Sequence, residues 1–72
     1  MNKIKIGDTV YLLTCSNIIF PAKCIAINDT YYTVLYISNL GAVDEITDED
    51  FGDTVFLTME EAEEKKESRM RK

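Results

Sequence analysis

The sequence predicts a mainly β, α+β fold: a small five-stranded antiparallel barrel or strongly bent sheet, with a C-terminal α-helix. Three observations carry the prediction. Five short runs rich in Val, Ile, Tyr and Thr are separated by turn residues. An acidic helical turn, Asp48-Glu49-Asp50-Phe51, stands between the fourth and fifth runs. Thr58 followed by Glu61 forms a Thr-x-x-Glu capping box that opens a helix running from Met59 to about Met70. The domain division is residues 1–57 as a barrel and residues 58–72 as a helix packed on it, frayed at its end.

Each element has its own local reason. Lys3-Ile4-Lys5-Ile6 alternates polar and apolar, as in an approach to a sheet edge. Gly7-Asp8 is a turn, and Thr9 to Thr14 is a first strand. Pro21 cannot donate to a ladder, so Ile18-Ile19-Phe20-Pro21 is expected in a loop or at a strand edge. The second strand is then Ala22 to Asn28. Three consecutive apolar side chains, Ile18, Ile19 and Phe20, cannot all face inward from one strand, so this segment is the first candidate for an apolar contact patch.

Asn28-Asp29 reads as a hairpin turn, because both residues tolerate left-handed backbone. The third strand, Thr30 to Ser38, has Tyr32, Val34 and Tyr36 on one face and Tyr31, Thr33, Leu35 and Ile37 on the other. Both faces are apolar, so parity alone does not say which is inside. After Asn39-Leu40-Gly41, a fourth strand from Ala42 to Thr47 offers Val43 and Ile46 to the core. Acids suit the exposed N–H groups at the start of the following turn. Phe51 plugs that turn, and Gly52 supplies the positive φ that leaves it. Thr54 to Leu57 is the fifth strand. This order of elements is that of an SH3-like barrel, and closure would hide the unpaired edges of so small a sheet.

Composition limits the chemistry. The 72 residues have room for one thin-cored domain, since a chain of this size hides only about 60% of its unfolded surface. There is no His and no Trp. That leaves no imidazole for proton transfer, nucleophile activation or metal binding. Cys15 and Cys24 lack zinc-site spacing and are expected as reduced, packed thiols, with a cross-strand disulfide as the alternative. We therefore expect a non-enzymatic protein with no catalytic residues, no metal and no cofactor. The first residues show no signal peptide, and no run approaches the roughly 20 apolar residues of a membrane span. The expected location is cytoplasmic.

The net charge is −5. Residues 1–57 hold three lysines against eight acids, whereas residues 58–72 balance five against five. The excess therefore lies in the barrel, in the run Asp44, Glu45, Asp48, Glu49, Asp50 and Asp53. Such a body disfavours direct nucleic-acid binding and suits a basic protein surface. The same run also reads as a solvated loop that keeps a small protein soluble. Together with Phe20, Tyr32 and Tyr36, where Tyr supplies rigid area and a hydroxyl, these acids are the candidate partner-binding residues.

The segment Asp50-Phe51-Gly52-Asp53-Thr54-Val55-Phe56-Leu57-Thr58-Met59-Glu60-Glu61-Ala62-Glu63 resembles the ending of a group of short proteins without an assigned activity, found in Gram-positive bacteria and their phages or mobile elements. Their ending runs Asp-Phe-Gly-Lys-Thr-Val-Phe-Leu-Thr-Arg-Glu-Glu-Ala-Glu. The match covers roughly a fifth of the chain. It departs at Asp53 and Met59, where the group is basic. The resemblance implies a mobile-element origin rather than a reaction. It supports a first reading as a phage-derived inhibitor or modulator of a host protein with a basic surface, one handling nucleic acid or defence. A second reading is a homo-oligomer that binds or sequesters a small ligand or nucleotide, with Tyr rings stacking on a base and Lys5 or Lys23 meeting a phosphate. A third is an enzyme in which Asp48 and Asp50 hold a divalent cation.

Overall fold

The computed structural model describes residues 3–38 and 41–71. Asn39 and Leu40 of the expected third turn lie outside these. The elements in order are β1 (Thr9–Leu13), β2 (Ile19–Ile27), β3 (Tyr32–Tyr36), β4 (Val43–Ile46), a one-turn 3-10 helix (Asp48–Asp50), β5 (Val55–Phe56) and α1 (Met59–Met70). The sheet order is β4-β3-β2-β1-β5, with every strand pair antiparallel. The sheet curls into a half-barrel, a small SH3-like α+β fold.

The curl has a local cause in β2. This nine-residue strand pairs with β1 through Ile19 to Lys23 and with β3 through Ala22 to Ile27. Its register slips between Cys24 and Ala26, a bulge that bends the strand and raises its twist. Pro21 lies inside β2, not in a loop before it. The Pro21 carbonyl accepts from Ile37 N–H at 3.1 Å. A residue's N and O point to the same side of a strand, so the missing donor faces the chain just past the end of β3, where it breaks no bond of the β2–β3 ladder.

Two cores result. Inside the curl, Val10, Leu12, Ala22, Cys24, Tyr32, Val34, Ile46 and Val55 pack together, with Ile4 as a plug from the N-terminal segment. That segment is not a strand. Ile4 is buried and Ile6 is exposed. Outside the curl, Leu13 and Phe56 pack against Ala62 of α1, flanked by Tyr11 and Ile19. Val43, expected in the core, is 57% exposed because its position on β4 faces outward, while Ile46 is buried as expected. Among the described residues other than glycine, the left-handed one is Asn17, at φ 63°, in the β1–β2 turn, rather than Asn28 or Asp29. Gly52 has the positive φ expected of it, 90°.

Helix α1 docks differently from its apolar pattern. Met59 and Met70 are exposed, and Ala62 is its buried residue. The C-terminal half is held by Arg69, whose guanidinium donates to the carbonyls of Thr14 at 3.0 Å and Asp53 at 3.4 Å. The helix is regular through Met70. At its start, Thr58 Oγ1 accepts from Glu61 N–H at 3.2 Å. Replacing Thr58 with alanine should lower stability by about 1 kcal/mol in chemical denaturation, the usual value of such a cap. A serine in its place should restore most of that.

Candidate functional site

The alternation of β3 turns Tyr32, Val34 and Tyr36 into the curl. The two tyrosines thereby mark opposite ends of the half-barrel, and each meets a phenylalanine edge to face. Tyr32 stacks on Phe51 with ring centroids 6.1 Å apart, and Tyr36 on Phe20 at 6.0 Å. Each hydroxyl donates to an aspartate. Tyr32 Oη reaches Asp48 Oδ1 at 2.6 Å, and Tyr36 Oη reaches Asp44 Oδ2 at 2.9 Å.

The two ends differ in access. At the Tyr32 end, the 3-10 turn and Phe51 close the curl. Tyr32 is 3% exposed, and its hydroxyl also accepts from Lys3 N–H at 3.0 Å. This corrects the sequence expectation: Tyr32 is a core residue, not a partner contact. The bond to Asp48 holds its phenol above the ordinary range, and burial adds to that. At the Tyr36 end the curl stays open. Thr14, Phe20, Tyr36 and Ala42 line a slot of about 170 Å³. All four sit on the inward face, at the ends of β1 and β3 and the starts of β2 and β4. Burial, followed by the bond to Asp44, pushes the Tyr36 phenol up to about 12.

The slot is too small for a typical ligand, which needs about 300 Å³ or more. It has the walls for one side chain. Its rim is stiff: Thr14 Oγ1 accepts from Ser16 and Ile18 N–H, and Thr14 O accepts from Arg69. A larger open groove of about 660 Å³ runs between Phe51, β5 and α1, but its rim carries Lys3 and Lys65 beside Glu61 and Glu64 with no convergent polar set.

The acid run divides into two groups. Tyr36 N–H donates to Ala42 O, so residues 42, 44 and 46 bond to β3, and Val43, Glu45 and Thr47 direct their N–H groups to the free edge of the sheet. Asp44 Oδ1 accepts from Glu45 N–H at 2.8 Å, and Asp50 Oδ2 accepts from Thr47 N–H at 2.9 Å. Two aspartates thus occupy edge donors that would otherwise template another strand. Asp44, Asp48 and Asp50 are therefore structural carboxylates, and Asp44 is also exposed at the slot. Glu45, Glu49 and Asp53 are exposed. The expected site is therefore not one patch: Phe20, Tyr36 and Asp44 meet at the mouth, Asp48, Glu49 and Asp50 lie at or just beyond the closed end, and Asp53 sits apart from both groups, its carbonyl tied through Arg69 to that of Thr14.

Sequence reading missed Thr14 and Ala42, which only the strand register brings to the mouth. It also missed the Thr47–Asp50 bond, although Thr-x-x-Asp is a visible form of the capping pattern. Asp48 and Asp50 point to different partners, Tyr32 and Thr47. Among the described residues, no group of three or more acids or cysteines converges as a metal-ligand set. Cys15 is exposed and Cys24 buried, both as free thiols, so the disulfide alternative is not realised and only Cys24 is packed. Burial raises the Cys24 thiol's pKa. Among the described residues, no helix is long and apolar enough to cross a membrane.

These features define a class: a small SH3-like half-barrel, sealed at one end and carrying an aromatic slot beside a carboxylate at the other. No protein-family model, curated protein or solved structure matches the chain.

Proposed function

We propose that this protein is a small non-enzymatic protein-interaction module that takes a basic side chain of its partner into the mouth slot. The observation behind this reading is the convergence of Phe20, Tyr36 and Asp44 on a one-side-chain slot. Aromatic faces attract a Lys or Arg cation, and a carboxylate at the rim supplies its counter-charge. Asp44 Oδ2 already accepts from Tyr36, and a carboxylate has about four lone-pair sites, so acceptor capacity remains.

The acid excess of the barrel would draw a basic surface toward the molecule as a whole, with Asp44 as the member of the acid run that meets Tyr36 at the mouth. On that basis, and on the resemblance of the C-terminal segment, the partner is a host protein with a basic surface, and the role is that of an inhibitor or modulator. The nucleotide-binding reading is less well supported. Lys23 lies on the outward face of β2, opposite the Tyr36 ring, and Lys5 lies by the Asp8 turn before β1, so neither of the named cations shares a site with that ring.

An NMR titration with Nα-acetyl-arginine amide tests the reading. The expected result is chemical-shift changes confined to Thr14, Phe20, Tyr36, Ala42 and Asp44, with a dissociation constant of about 1 mM, as suits a fragment. Nα-acetyl-leucine amide should produce far smaller changes. Asp44→Asn keeps the Tyr36 contact possible and should weaken binding about tenfold, the loss of one charge-assisted bond. Equal response to the neutral probe would refute the reading.

A further inference from the structure

The outward face of the sheet is only half covered. Helix α1 packs over β1 and β5, where Tyr11, Leu13, Ile19 and Phe56 meet Ala62. Over β2, β3 and β4 the register sets Lys23 beside Leu35 and Leu35 beside Val43, with Glu45 beside Thr33 one row away. Ile37 follows Leu35 on the same face and bonds to Pro21 through its N–H. Ile37 is 47% exposed and Val43 57% exposed. The face is therefore an apolar centre with a lysine on one side and a glutamate on the other.

We infer that this face binds a second copy of the chain in a two-fold, face-to-face dimer. The charge pattern is self-complementary about one axis. A copy turned about an axis parallel to β3 lays its β2 over this chain's β4 and its β4 over this chain's β2. Lys23 of each copy then meets Glu45 of the other, twice, around Leu35, Ile37 and Val43. The offset along the strand is two residues, about 7 Å, and packed sheets lie about 10 Å apart, a gap the lysine stem spans. The other two-fold axis in the plane, across the strands, would set Lys23 over Lys23 and is unfavourable. Strand addition is blocked at β4, where Asp44 and Asp50 occupy the outward donors at Glu45 and Thr47. The exposed face offers a separate route to self-association. The two mouth slots stay open in this dimer, so it does not depend on the slot reading.

Analytical ultracentrifugation of the full chain, up to about 1 mM, tests the dimer. The wild type is expected to sediment as a dimer and Val43→Glu as a monomer, both with unchanged circular dichroism. Lys23→Glu and Glu45→Lys should each be monomeric alone, because each places like charges at both contacts. Mixed in equal amounts, they should form a heterodimer, since the pairings become Glu on Lys at both contacts. A monomeric wild type would overturn the inference. So would a dimer that survives Val43→Glu, or single charge variants that fail to pair on mixing.

Discussion

Phe56→Ala is expected to lower the stability of the protein by about 3 to 5 kcal/mol, the usual range for removing a buried phenylalanine. Phe56 is 6% exposed and sits between Leu13 and Ala62 in the small outer core. The rest of that core is Leu13 and Ala62, with Tyr11 and Ile19 at its flank. Ala62 is the buried residue of α1, so without Phe56 the helix loses most of its apolar floor. Total stability in small proteins is about 5 to 15 kcal/mol, so the variant should be largely unfolded at moderate denaturant. Guanidinium unfolding followed by circular dichroism checks this. A loss below about 1 kcal/mol would mean that the helix contact contributes little, as expected instead for Met59→Ala at an exposed site.

The second large effect is with pH. The Tyr36 phenol is raised to about 12 in the folded chain, chiefly by burial and then by Asp44. Its unfolded value is about 10. Folding therefore favours the protonated phenol. This contribution is fully present below about pH 10 and is lost as the pH rises through about 12. The Tyr32 phenol is raised as well, led by its bond to Asp48, and adds to the loss. A rise from about 10 to about 12 is equivalent to about 2.7 kcal/mol, which solvent screening at the partly open mouth reduces to about 1 to 2 kcal/mol for Tyr36. Urea midpoints should therefore hold steady up to about pH 8, begin to fall as the Cys24 thiol, raised by burial, adds its own loss, and fall steeply above about pH 10. Tyr36→Phe should flatten that fall. An identical alkaline slope in the variant would show that Tyr36 is not its source.

The fold was legible where local chemistry is unambiguous. Gly52 at positive φ, the acidic turn before Phe51 and the Thr58 cap each have one physical reading, and each occurs where the sequence places it. Pro21 misled because the rule against strand prolines assumes a ladder on the side its nitrogen faces, and at Pro21 that ladder has ended. The parity of β3 was unreadable because Leu35 and Ile37 are as apolar as Val34. What sets it is long-range: Tyr32 and Tyr36 each find an aspartate and a phenylalanine on the inward side.

The candidate site was legible only in pieces. Phe20, Tyr36 and Asp44 were all recognisable as contact residues, but 24 positions separate Phe20 from Asp44 and only the register joins them. The acid run looked like one feature because its members are neighbours in sequence. In space it is a set of edge caps, two tyrosine partners and a few exposed carboxylates.

The most direct test of the mouth as a receptor for a basic side chain is a search for intermolecular NOEs between arginine δ-methylene protons and the rings of Phe20 and Tyr36. It uses Nα-acetyl-arginine amide at saturating concentration. A side chain seated in the slot predicts NOEs to both rings, with ring-current shifts of the δ-methylene that vanish in Phe20→Ala. NOEs to the Phe51 and Leu57 groove instead, or none to either mouth ring, would contradict it.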